Sequence, residues 1–196
     1  MRSIWTAKWT RQGTTMFHPS TERLIDYWRT QAGAARMPSR ADVDPGDFLD
    51  ILSQVFILGR SAGRYPFRLT GGFVADLHAR DLRGEDSLSL WALSHRLEVK
   101  SALEVARRRA EPVVVTADIR AHGVASVGME VLLAPMTGAS GEVDRFLGLY
   151  QPIAMMQRLM GRPAYELGVR RIQALGPNNA EAPRLRLASL DGRLIA

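Results

Sequence analysis

Four histidines, one arginine triplet and one Gly/Ser-rich turn are the residues of this chain whose types could do chemistry. His18, His78, His95 and His122 never recur at the short spacing that puts two ligands on one helix face or strand, so no metal-binding pair stands out. His95 is the candidate to weigh. It opens a long helical stretch, with Trp91, Leu93 and Leu97 on the adjacent faces. A hydrogen-bonded, partly exposed histidine is the simpler reading. Gly138-Ala139-Ser140-Gly141-Glu142 approaches a nucleophile elbow but lacks the closing glycine and reads as a hairpin turn. There is no dinucleotide fingerprint, P-loop or His-Glu-x-x-His, and no pair of carboxylates stands out as acid and base. Zero cysteines exclude thiol catalysis, disulfides and thiolate metal sites, and fit a cytoplasmic protein. An enzyme is therefore not expected.

The formal charge of +6 raises the question of an anionic partner. Many arginines sit beside acids, and the dense run Arg107-Arg108-Arg109 falls at an expected helix C-terminus, where the helix dipole favours cations. The rival class is a nucleic-acid binder using Arg162, Arg170, Arg171, Arg184 and Arg186. No apolar run is long enough to span a membrane, and the N-terminus lacks the apolar core of a secretory signal.

The elements that must position these residues are legible in part. Residues 1–20 show no clean period and are expected to form an arm. Thr21–Ala32 reads as a helix with Leu24, Ile25 and Trp28 on one face. Pro38 stops helix before it, and Asp44-Pro45 restarts it as N-cap and first helical residue, with Val43 and Phe48 placed for a hydrophobic staple. Val55–Gly59 and Tyr65–Leu69 read as a hairpin, Phe73–His78 as a short helix, and Trp91–Arg109 as the longest helix, with Val99, Ala102, Leu103 and Ala106 on its inner face. Strict alternation over 113–121 and 127–133, joined at Gly123, predicts an antiparallel hairpin with Val115 and Val131 facing that helix. Arg145–Gln151 is the last strand expected, followed by a helix at Ile153–Met160 and a loosely packed basic tail. This order gives an α+β fold with a five-stranded antiparallel sheet, a helical connection and N-terminal helices.

The motifs Tyr27-Trp28, Met37-Pro38-Ser39-Arg40-Ala41-Asp42-Val43-Asp44-Pro45, Phe67-Arg68-Leu69-Thr70-Gly71 and Arg80-Asp81-Leu82-Arg83-Gly84 stand in that order. The chain resembles a bacterial, mainly alphaproteobacterial, family of single-domain PAS-like proteins, from about Leu24 to Pro152. The resemblance implies a domain over residues 21–152 and a non-enzymatic sensory, signalling or protein-interaction module with no output domain, acting through itself or an unidentified signalling partner. It implies an internal pocket, lined by Leu69, Phe73, Leu77, Trp91, Val99, Leu103, Val115, Val131 and Leu147, that is plain core or holds a small apolar ligand. Haem through His95 is implied by haem-binding PAS relatives but disfavoured, and flavin photochemistry lacks its cysteine; no cofactor is expected. Arg40 with Asp42 and Asp44, and Arg68 with Asp81, are the family-like charged residues, read as loop-anchoring ion pairs or caps, or as partner contacts. Ala79 replaces the usual glycine before Arg80-Asp81. PAS relatives dimerise through N-terminal helices, so a homodimer centred on Leu24, Ile25 and Trp28 is expected, the alternative being that this helix folds back on its own sheet.

Overall fold

A computed structural model describes residues 16–176. Its centre is one antiparallel sheet of β1 (Val55–Gly59), β2 (Phe67–Thr70), β3 (Val113–Ala121), β4 (Val127–Met136), β5 (Arg145–Pro152) and β6 (Ala164–Ala174), in the spatial order β2-β1-β5-β4-β3-β6. The sheet has six strands, not five. Beyond Pro152 the expected helix is a single 3-10 turn at Met156–Leu159, and the chain then returns as β6 along the outer side of β3. This pairing covers the edge of β3 that would otherwise be left without a partner. The alternation of β6 is blurred by consecutive Arg170 and Arg171, which hid it in the sequence.

The β3–β4 hairpin is as expected, with Val115 opposite Val131 and both in the core beside Leu103. Helix α1 (Pro19–Ala32) lies on one face of the sheet, while α2 (Gly72–His78) and α3 (Arg96–Arg109) lie on the other. The first is capped by His18, whose Nδ1 accepts from Ser20 N–H at 3.2 Å. Asp44 caps as expected: its Oδ1 accepts from Gly46 N–H at 2.8 Å, and Val43 and Phe48 are both buried against α1. The segment that Asp44 caps is a 3-10 run, Pro45–Gln54, broken at Phe48, where the side chain turns into the core. Helix α3 begins at Arg96, five residues later than the periodicity suggested, because short 3-10 turns precede it.

Sequence parity within the strands separates two hydrophobic layers. Phe56, Leu58, Phe67, Phe146 and Tyr150 face α3, whereas Ile57, Leu132, Leu147 and Leu149 face α1. The end of α2 is strained at the position where glycine is missing: Ala79 adopts φ +49°, ψ +37°, a left-handed C-cap whose N–H reaches back to Ala75 and Asp76. An alanine there costs about 1 kcal/mol relative to glycine.

Candidate functional site

The site the fold offers lies between α3 and the face of the sheet that it covers. Four of the expected pocket residues, Trp91, Val99, Leu103 and Val131, line a cavity there, together with Phe56, Leu58, Phe67, Ser87, Leu133 and Tyr150. The cavity measures about 10 Å³. That is room for roughly one water molecule. Aromatic rings take up the rest: Phe56 meets Phe67 at 5.6 Å and Tyr150 at 5.2 Å, both edge to face. Gly148 makes this possible, since a Cβ there would stand 2.1 Å from the Phe56 ring.

The remaining expected pocket residues fall elsewhere. Leu77 and Val115 are buried in the same core without reaching the cavity, and Phe73 packs at its margin. Leu69 is 41% exposed, because it precedes the turn into α2 on an edge strand. Leu147 faces α1, on the opposite side of the sheet. Nearly every residue of β5 is buried, so alternation could not reveal which parity faced the cavity, and the true lining residue Tyr150 was missed.

His78 is the larger surprise. It is 5% exposed and its Nδ1 donates to the Ala164 carbonyl at 3.2 Å, which ties α2 to β6 and leaves Nε2 buried without a partner. Loss of hydration lowers its pKa to about 4, opposed by the hydrogen bond to Ala164 and slightly reinforced by the Arg80 charge. The available signal was its phase, one residue after Leu77 on a helix burying Val74 and Leu77. His95 is half-buried at the N-terminal end of α3, and its Nδ1 accepts from Val169 N–H at 3.1 Å. It does not line the cavity. His122 stacks on Tyr165, with ring centroids 4.3 Å apart. Among the described residues, no three His, Asp or Glu side chains gather to hold a metal ion.

Beside the cavity, the β1–β2 hairpin is fastened to α3 by charge. Tyr65 Oη donates to Glu104 Oε1 at 2.5 Å, Arg60 Nε reaches the same oxygen at 3.0 Å, and Arg107 holds Oε2 at 3.0 Å. Partial burial disfavours the Glu104 carboxylate, but the hydrogen bonds from Tyr65, Arg107 and Arg60 outweigh it and hold its pKa near 2. Burial and the Glu104 contact raise that of Tyr65.

Four of the five family-like charged residues are local caps or loop ties. Asp44 caps the 3-10 run, Asp42 Oδ2 accepts from Ser39 N–H at 2.9 Å, Arg40 Nη1 donates to the Val43 carbonyl at 3.3 Å, and Asp81 Oδ1 accepts from Arg83 N–H at 2.9 Å. Arg68 lies exposed over Gly59. Its expected pairing with Asp81 is absent, and none of the five makes a salt bridge among the described residues. The expected self-association face is also used internally: Leu24 is 1% and Trp28 4% exposed, and Trp28 Nε1 donates to the Pro135 carbonyl at 2.7 Å. Of the arginines proposed for nucleic acid, Arg170 pairs with Asp118 at 2.6 Å, while Arg184 and Arg186 lie outside the described residues. No described helix is long and apolar enough to cross a membrane.

Among solved structures, a light-oxygen-voltage domain studied with a flavin analogue is similar over 56% of this chain and 83% of its own, at 12% identity and a TM-score of 0.45. A light-oxygen-voltage protein of Rhodobacter sphaeroides is similar over 59% and 73%, at 13% identity and 0.43. No curated protein matches. The model of the PAS domain family matches residues 16–151, most of the described chain, and the chain belongs to that family.

Proposed function

We propose that this protein is a non-enzymatic cytoplasmic PAS module that signals by protein–protein contact, with a closed core in place of a ligand chamber. The observation that carries this reading is the cavity of about 10 Å³ where α3 crosses the sheet, filled by Phe56, Phe67, Trp91 and Tyr150. Ligand sites are typically some 300–1,000 Å³, far more than these rings leave. A core filled by side chains transmits strain, because packed interiors rearrange between discrete arrangements rather than deform smoothly. The Glu104 cluster then couples the hairpin to α3, so a partner that pulls on either element moves the other.

The test is native mass spectrometry on protein purified from its own cell, joined to titration with benzene or indole. The closed core should leave the wild type at the mass of its polypeptide, with no saturable uptake of either probe. Phe56→Ala should open a cavity that binds benzene. A stoichiometric small molecule in the wild type, or saturable probe binding to it, would sink the closed-core reading and restore a ligand sensor.

A further inference from the structure

Two loops meet at one end of the sheet: residues 122–126, which join β3 to β4, and residues 153–163, which join β5 to β6. The register puts them there, with Met129 opposite Pro152 and Ala121 opposite Ala164. Neither loop contains an acid. The acids of the adjoining strands are already committed: Glu166 to Arg120 at 2.7 Å, Asp118 to Arg170 at 2.6 Å, and buried Glu130 to His18 N–H. Arg158 and Arg162, in the longer loop, are exposed and make no salt bridge among the described residues.

The same loop presents apolar side chains to solvent. Met155 is 71% and Met160 76% exposed, with Ile153 and Tyr165 exposed beside them. Two successive turns hold them, closed by Arg158 N–H to the Met155 carbonyl at 3.2 Å and Met160 N–H to the Gln157 carbonyl at 2.9 Å. Met160 itself stands at φ +52°, a left-handed conformation that favours glycine, yet the position carries a large apolar side chain. Flexible apolar chains can enter the acyl boundary of a bilayer, tyrosine suits the layer between apolar and wet, and arginines reach headgroup phosphates. A protein partner would need a pocket matched to side chains that project from turns, whereas a lipid surface needs none. We propose that this end of the sheet docks on an anionic lipid surface, with Met155 and Met160 inserted shallowly and Arg158 and Arg162 on the phosphates. Such peripheral attachment requires no spanning helix.

The test is co-sedimentation of the full chain with vesicles of phosphatidylcholine and phosphatidylglycerol, about three to one, against vesicles of phosphatidylcholine alone. The mixed vesicles should retain the protein and the neutral ones should not. Met155→Ser/Met160→Ser and Arg158→Glu/Arg162→Glu should each weaken retention on the order of tenfold. Arg108→Glu/Arg109→Glu makes the same change in net charge at the exposed end of α3, and should alter retention by less than about twofold. The chain has no cysteine, so one labelled thiol reports one place. An environment-sensitive dye on Met160→Cys should shift to the blue on mixed vesicles, and the same dye on Leu49→Cys, exposed in the 3-10 run, should not. No retention on the mixed vesicles would overturn the proposal and leave the patch to a protein partner. Equal loss in the α3 variant, or a blue shift at position 49 as large as at 160, would overturn it as well.

Discussion

The two faces of the sheet are closed by different means. Toward α3, aromatic side chains from neighbouring strands interlock, and the helix is fastened at its edge by the Glu104 cluster. Toward α1, aliphatic residues of the strands meet a helix that is remote from β4 in sequence and is held by a polar contact at each end. At its start both Glu130 carboxylate oxygens accept from His18 N–H at 3.1 Å, where the positive helix end favours an anion. Toward its end Trp28 reaches Pro135. The α3 side is a filled solid. The α1 side is a lid whose coverage rests on few anchors.

The lid is tested most directly at Trp28. Trp28→Ala removes its largest side chain and the bond to Pro135, so urea unfolding should show a loss of about 3–5 kcal/mol. A loss below roughly 1 kcal/mol would mean that the lid contributes little to stability. Next in size is Gly148→Ala, which drives a methyl group into the Phe56 ring. Overpacking of this kind costs about 1–3 kcal/mol. Phe56→Ala in the same background should recover part of it, whereas Trp28→Ala should simply add to it.

Acid acts on the α3 side through two separate groups. The folded pKa of His78 lies near 4, below its unfolded value of 6.5, so the unfolded chain binds the extra proton between them and stability falls as pH drops through that window. In His78→Leu this part of the slope should vanish. Glu104, held near 2 against an ordinary 4.5, contributes stability that is present above pH 4.5 and lost as pH falls toward 2. Glu104→Gln should lose that lower segment and leave the His78 segment in place. Thermal melts across the acid and neutral range separate the two. The smallest effect is expected at Leu93, 79% exposed outside both layers, where Leu93→Ser should change stability by less than about 0.5 kcal/mol. A larger loss would mean that Leu93 is covered in solution.

The sequence alone determined the elements whose signals are local. Asp44-Pro45 starts a helical segment, the alternation of 113–121 and 127–133 makes a hairpin, and the α+β order follows. Trp91, Val99, Leu103 and Val131 were legible as inward-facing residues because they sit on such elements, on α3 and β4 or at the entrance to α3. Tertiary structure decided the rest. Which parity of β5 faces α3 depends on its pairing with β1 and β4, and a strand buried on both faces carries no internal mark of it. The strand β6 is defined by its pairing along the edge of β3, although its own residues read as tail. The apolar stripe of α1 required burial, and the face of β4 and β5 that it packs against is brought within its reach only by the fold. His78, likewise, is buried by what packs over it rather than by its neighbours in sequence.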